Sequence, residues 1–323
     1  MRILITGVTG FVGNHLAPEL RAHDREAEIW GLTWGKYDRE SLEKAVPGIR
    51  LIDGDLVDRA SVKPILEAAR PDLIFHLASA TSVARSWGSA ARSLEINAMG
   101  TAHLFDAVLE TQLDPVVVVS STAEVYGRID DTSSPLREDA PFAPLSPYGT
   151  SKVAQDLLTS QYHTGHGLAT VRLRFFHLTG PGRPPHFVAS SFARQIARME
   201  AGLAPPIVEV GNLDSVRDFT DVRDAVRACR LIADRRHAGG VFHVCTGRPV
   251  PITEVVRLLI EMSRCEVSVE VDEARVRPSD IPWMVGDPSR IEAATGWRAE
   301  VPLEQTLRDL LDWWRAQSTV DSR

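Results

Sequence analysis

Tyr148 and Lys152 stand four residues apart, a spacing that on one helix projects both side chains from the same face. A phenol beside a fixed ammonium is a group that can give and take a proton. Free tyrosine titrates near 10, too high for a base at neutral pH, and a close positive charge stabilises the phenolate and brings that value down. The pair therefore suits interconversion of a carbonyl and an alcohol. Two further segments supply what such chemistry needs. The chain opens on an apolar stretch, Ile3-Leu4-Ile5, that runs into Gly7-Val8-Thr9-Gly10-Phe11-Val12-Gly13. A second apolar stretch, residues 116–119, ends in Ser120-Ser121-Thr122. The Thr122 hydroxyl is placed to bond the oxygen that Tyr148 protonates. Glu124, two residues on, reads equally as a base at the edge of the site or as a loop carboxylate.

The elements that must hold these residues alternate. Up to about residue 175, the short apolar runs 28–32, 50–52, 73–77, 115–120 and 170–175 read as strands separated by helical periodicity. That alternation predicts an α/β fold, a Rossmann-like doubly wound parallel sheet whose ligands bind at the carboxyl ends of the strands. Gly7, Gly10 and Gly13 then bring a dinucleotide pyrophosphate onto the backbone amides that open the first helix, with Phe11 and Val12 in the same turn. A carboxylate closing the second strand would bond a ribose 2′-hydroxyl and repel a 2′-phosphate. Here the segment is Leu32-Thr33-Trp34-Gly35-Lys36, with no acid before Asp38. Lys36 reads as a point charge for a phosphate or as a solvated loop lysine, and the balance favours NADP(H) over NAD(H). Asp55 and Leu56 after the third strand are placed for the adenine edge, and Asp55 equally for capping a turn. Leu77 and Ala78 run under the cofactor, while His76 reads as a core histidine.

Length and composition bound the rest. A chain of 323 residues with 44% hydrophobic content buries a large core without staples. The formal charge of −7 argues against nucleic acid or an anionic membrane as partner. Cys229, Cys245 and Cys265 show no metal-ligand spacing, so no metal is expected, and buried, inert thiols fit a reducing cytoplasm. No apolar run approaches the roughly 20 residues that span a bilayer.

Beyond residue 180 the chain turns irregular and rich in Pro and Gly around a helical stretch at 187–201, and regular patterns return at 221–234, 241–244, 253–263 and 266–271. This predicts a smaller α/β lobe interleaved with the first. Residues 1–178 with about 218–246 form the cofactor domain, 179–217 with 247–316 form the substrate lobe, and 317–323 fray. Leu303, Leu307, Leu310, Leu311 and Trp314 fall on one helical face as core. Arg217-Asp218-Phe219 and Arg277-Pro278-Ser279-Asp280, with Arg183 and Arg194 nearby, offer guanidinium groups suited to a diphosphate.

Together these motifs resemble the extended short-chain dehydrogenase/reductases that act on nucleotide sugars, over nearly the whole chain. More narrowly, Gly180-Pro181-Gly182, the stretch 187–198 and Glu209-Val210-Gly211-Asn212-Leu213 are similar to those of GDP-4-dehydro-6-deoxy-D-mannose reductases, which make GDP-D-rhamnose, and of the related GDP-mannose 4,6-dehydratases. The resemblance implies a catalytic set of Thr122, Tyr148 and Lys152 with Glu124. It also implies a GDP-linked 4-keto-6-deoxy sugar held by Thr122, His177, Val188, Arg194, Arg217, Arg277 and Asp280, and a homodimer joined through helices at 90–111 and 147–164. A dehydratase must take the C5 proton and expel the C6 hydroxyl, so it needs a base and a hydroxyl or acid beside the Thr. The chain reads Thr122-Ala123-Glu124, and a methyl neither donates nor relays a proton. That favours the 4-ketoreductase, with the dehydratase second and a 4-epimerase third. Where the family usually carries Asn this chain has His177, which is bulkier and titratable, and the change bears on which sugar is accepted.

Overall fold

The computed structural model describes residues 1–35, 37–129, 132–275 and 281–321. Its first half alternates as the sequence predicts: β1 (Arg2–Thr6), α1 (Phe11–His23), β2 (Glu28–Thr33), α2 (Arg39–Ala45), β3 (Arg50–Asp53), α3 (Arg59–Ala69) and β4 (Leu73–His76). Helices α4 (Val83–Ser86), α5 (Ala90–Leu94) and α6 (Gly100–Glu110) follow, the last two joined by a π-helical turn at Glu95–Met99. Then come β5 (Val116–Thr122), α7 (Pro147–His166) and β6 (Ala169–Phe175).

The second half has shorter strands: β7 (His177–Thr179), α8 (Val188–Glu200), β8 (Ile207–Val210), β9 (Val216–Arg217), β10 (Phe219–Asp221), α9 (Val222–Ile232), β11 (Val241–Val244) and β12 (Val250–Pro251). It closes with α10 (Ile252–Glu261), β13 (Ser268–Val271), β14 (Trp283–Met284), α11 (Ser289–Thr295) and α12 (Leu303–Asp321).

Seven strands pair in parallel in the order β3-β2-β1-β4-β5-β6-β11. The order reverses beside β1, and that switch point opens the crevice in which doubly wound sheets bind ligands. Helices α1 and α9 cover one face and α3 and α6 the other, which is why β1, β4 and β5 are apolar on both sides. Local chemistry sets the key helix. The Ser146 side chain accepts from the amide of Gly149 at 3.0 Å, Pro147 occupies the first turn, and Gly167 ends α7 at φ 74°.

A second core gathers α8, α10 and α12 around Phe192, Ile196, Leu259, Leu307, Leu310 and Leu311. Ile291 and Trp297 pack instead into the core of the large sheet, and the Trp297 indole donates to the carbonyl of Asp224 at 2.9 Å.

Two expectations need correction. Helix α12 continues to Asp321 where fraying from 317 was expected, and Ser318 is buried against the lobe. Cys229 and Cys245 are buried, but Cys265 is exposed, because it follows the end of α10 on the lobe surface.

Candidate active site

A cleft of about 1240 Å³ runs between the sheet ends and the second lobe. It exceeds the few hundred to about 1,000 Å³ usual for one ligand, so it has room for a dinucleotide and a nucleotide sugar together. Gly7, Gly10, Phe11, Val12, Gly13, Asp55, Leu56, Leu77 and Ala78 line it on the cofactor side. Thr122, Glu124, Tyr148, Lys152, His177, Val188 and Arg217 line the same cleft.

The glycine turn fits a pyrophosphate on structural grounds. Gly7 adopts φ +70° and a Cβ there would stand 2.7 Å from the amide nitrogen of Ala78, while one on Gly13 would stand 2.6 Å from the carbonyl of Val8. Gly10 caps α1 with no side chain, so the first-turn amides of this 13-residue helix are left to a ligand.

Thr33 is a correction. It lies outside the lining because its hydroxyl turns into the sheet, donating to the carbonyl of Ile52 at 3.2 Å and to the Asp53 carboxylate. The register Thr33↔Asp53 thus sets an acid beside the end of β2 that sequence spacing alone does not reveal. Lys36, Arg277 and Asp280 fall outside the described residues. Arg194 is a second correction: it is exposed, its guanidinium sits 5.6 Å over the Trp314 ring, and it borders an adjoining depression.

Around Tyr148 the polar groups interlock. Lys152 Nζ donates to the carbonyl of Ser120 at 2.6 Å and to Gln155 Oε1. Gln155 in turn donates to Thr101 at 2.8 Å, and Thr101 meets His76 Nε2 at 2.9 Å. The other His76 nitrogen meets the Thr6 hydroxyl at 2.8 Å, which fixes His76 as a core residue. Asn97, on the π-helical turn, receives Ser79 Oγ and the amide of Ala80 and donates to Ser151 at 2.9 Å. Behind this wall Asp156 accepts from Ser121 at 2.8 Å, from Arg174 at 2.9 and 3.0 Å, and from Arg172 at 3.1 Å.

Burial dominates the acid-base properties. It pushes the Tyr148 phenol up to about 12, hydrogen bonding with Thr122 and the charge of Arg183 pull it back, and Glu124 opposes them. The expected lowering by Lys152 is not among the influences on the phenol. Lys152 is itself pulled down to about 7 by burial, against the field of Asp156, and its ammonium is aimed at Ser120 and Gln155. His177 is held well below the ordinary histidine value by burial and by the charges of Arg217 and Arg183, so it is neutral at pH 7.

Asn97, buried behind the cleft and holding Ala80 and Ser151, is absent from the expected site set, and Arg183, expected only among the nearby guanidinium groups, lines the cleft itself. An Asn inside a helix is a poor helix former, and that was the available signal for Asn97.

Comparison with known proteins shows the family. Residues 4–310 match the family described as GDP-mannose 4,6 dehydratase. The GDP-6-deoxy-D-mannose reductase of Pseudomonas aeruginosa is 33% identical over 316 residues, covering 98% of each chain. The solved structure of RMD from Pseudomonas aeruginosa complexed with NADPH superposes with a TM-score of 0.85 at 32% identity, covering 98% of this chain and all of the other. The Thermus thermophilus UDP-glucose 4-epimerase complex with NAD gives 0.86 at 29% identity, covering 98% and 99%.

Proposed function

We propose, from the premise that this chain belongs to the GDP-mannose 4,6-dehydratase family of extended short-chain dehydrogenase/reductases, that it reduces the C4 ketone of GDP-4-dehydro-6-deoxy-D-mannose to GDP-D-rhamnose with NADPH. The observation that carries this reading within the family is Ala123. It is 1% exposed and stands between Thr122 and Glu124 where dehydration would need a hydroxyl or an acid. Similarity to a GDP-6-deoxy-D-mannose reductase supports it.

Tyr148, held protonated at neutral pH by its burial, gives its proton to the C4 oxygen as that oxygen gains charge. The Thr122 hydroxyl orients the same oxygen, and Lys152, held by Ser120 and Gln155 one helical turn from Tyr148, is the cation nearest in sequence to the phenol on that helix face. Gly7, Gly10 and Gly13 with the α1 amides would hold the dinucleotide, whose bound nicotinamide supplies the hydride. Arg217 and Arg277 would grip the sugar nucleotide's diphosphate.

NADP(H) is supported by the NADPH complex of the P. aeruginosa relative and by the lack of an acid between Thr33 and Asp38. Asp53, bonded to Thr33, favours NAD(H) as the second reading. Leu94, Met99 and Leu157 are 40%, 50% and 53% exposed on α5, the π-helical turn and α7, which supports a homodimer joined along those helices. No helix among the described residues is long and apolar enough to cross a membrane, consistent with a cytoplasmic enzyme.

The test is two incubations followed by mass spectrometry. The protein is expected to consume NADPH when given GDP-4-keto-6-deoxymannose, and to leave GDP-mannose unchanged with NADP+. Loss of one water from GDP-mannose at a rate comparable with ketone reduction would overturn the reading in favour of the dehydratase, for which Glu124 is the available base.

A further inference from the structure

Lys152 is held by a residue that leaves its charge uncancelled. Its Nζ donates to the carbonyl of Ser120 on β5 at 2.6 Å, and to Oε1 of Gln155, three residues along α7 on the same face. An ammonium has three hydrogens. These bonds take two of them, and the third is left to the cleft that Lys152 lines. A carboxylate in place of the Gln155 amide would neutralise the cation. The neighbouring carboxylate, Asp156, is turned instead to Ser121, Arg172 and Arg174.

The Gln155 amide cannot turn over. Its oxygen faces a group that only donates, so its nitrogen is left to donate to Thr101, at 2.8 Å. The Thr101 hydroxyl has one hydrogen and gives it to the carbonyl of Asn97 at 2.6 Å. It therefore accepts from His76 Nε2, at 2.9 Å, as well as from Gln155. His76 then carries its proton on Nε2 and accepts at Nδ1 from the Thr6 hydroxyl, which accepts in turn from the amide of Ala78 at 3.2 Å. Gln155, Thr101, His76 and Thr6 are all fully buried. Each bond in this run thus has one direction, from Lys152 to the residue that precedes Gly7, and Gln155 is the link that touches the ammonium.

We propose that Gln155 is a positioning residue for the reduction, acting through Lys152: it fixes the direction of the N–H that the ammonium offers to the cleft and favours the charged form that carries it. This rests on the reading that the cleft takes NADPH and a keto sugar. The other titratable and charged groups around Lys152 do not duplicate the role. Asp156 favours the ammonium against the burial that pulls it down to about 7, but from a distance, and Arg172 and Arg174 of β6 face Asp156. His76 at the end of β4 is pulled down to about 3 and stays neutral. Tyr148 is protonated at neutral pH, and Glu124 and Arg183 act on it. Asp106 of α6 receives Tyr162, Arg92 and Glu95 pair with each other at 2.7 Å, and Arg85 of α4 is exposed.

The experiment compares the wild type with Gln155→Leu, which removes both bonds at similar volume, and with Gln155→Glu, which keeps an oxygen for Lys152 and adds a charge. NADPH affinity is measured by fluorescence titration between about pH 6.5 and 9, and turnover with GDP-4-keto-6-deoxymannose over the same range. Wild-type affinity is expected to fall as pH rises and Lys152 loses its proton. Losing an acceptor disfavours the ammonium and gaining a carboxylate favours it. The midpoint of that fall should therefore move down by about one pH unit in Gln155→Leu and up by about as much in Gln155→Glu. At about pH 8 turnover of Gln155→Leu should be about 10- to 100-fold below wild type, with Gln155→Glu closer to it. A merely structural role would move both variants the same way. Shifts of the same sign, midpoints within about 0.3 of a unit of wild type in both variants, or a wild-type affinity level across the range would overturn the proposal. A wild type that binds NADPH with this profile yet leaves the keto sugar unreduced would overturn the functional reading, while the binding arm still decides on Gln155. One that binds no NADPH would overturn both.

Discussion

The two walls of the cleft are built on opposite plans. On the side of α7 a run of buried polar side chains behind Tyr148 has found protein partners: Lys152 with Ser120 and Gln155, Gln155 with Thr101, Thr101 with His76, and Asn97 with Ala80 and Ser151. On the side of β7 and the segment after it, His177 Nδ1, Thr179 Oγ1 and Arg183 Nε are buried and unpartnered. A satisfied network rigidifies, while a buried orphan costs free energy until something completes it. On the proposed reading, the paired wall of α7 and β5 would do the chemistry and the unpaired wall of β7 and the start of α8 would recognise a ligand, so that the two tasks would be separated by element.

The difference can be broken from the chemical side first. Tyr148→Phe removes one proton and little contact area, so turnover with GDP-4-keto-6-deoxymannose should fall about 100- to 10,000-fold while NADPH affinity stays near that of the wild type. Steady-state rates and a cofactor titration on the same sample check both halves, and a variant keeping more than half the wild-type rate would remove Tyr148 from the mechanism.

A somewhat smaller effect is expected from the network behind that wall. Asp156→Asn leaves Arg172 and Arg174 without their carboxylate and should destabilise the fold by about 3–5 kcal/mol, read from denaturant unfolding with intrinsic fluorescence. A loss below 1 kcal/mol would show that the paired wall is looser than its hydrogen bonds imply.

The mildest probe is acid. His76 and His243 are each pulled down to about 3 by burial, so between 6.5 and 3 the unfolded chain binds protons that the folded one refuses. Their contribution is intact above pH 6.5 and is lost as pH falls, on the order of 1 kcal/mol per pH unit for each. Melting temperatures from pH 7.5 down to 5 should decline accordingly, and a flat profile would mean that His76 and His243 take up protons in the folded state as readily as in the unfolded one.

Much of the first wall was readable in the residues, because it sits at the ends of strongly periodic elements. A glycine turn after an apolar strand, a hydroxyl cluster closing β5 and an i,i+4 pair on α7 each announce their own local backbone. The second wall was less legible, and for a physical reason. Arg183 is one cation among 36 Lys plus Arg in the chain, and only its contact with both Phe11 and Phe187, about 175 residues apart in sequence, shows it to be enclosed. Thr33 failed in the same way from the cofactor side: it ends β2 as expected, but the register with β3 turns its hydroxyl to Asp53. Arg194 was placed on the right helix and on its wrong side, since the face of α8 that meets α12 leaves it over Trp314.

The widened turn at Glu95–Met99 has a consequence for how this chain can change length. A regular α-helix advances about 100° per residue, so an extra residue held in one π turn shifts the angular phase of everything after it. Deleting any one residue there would let α5 run straight into α6 and would leave the helix looking better formed. It would also rotate Asn97 out of line with Ala80 and Ser151, or turn Thr101 away from His76 and Gln155, since His76 ends β4, Ala80 lies just beyond it, and Ser151 and Gln155 are on α7. Exposed loops of this chain can gain or lose residues, but this helix has its residue count fixed by phase, and a shortened version would keep its helicity and lose its catalytic wall.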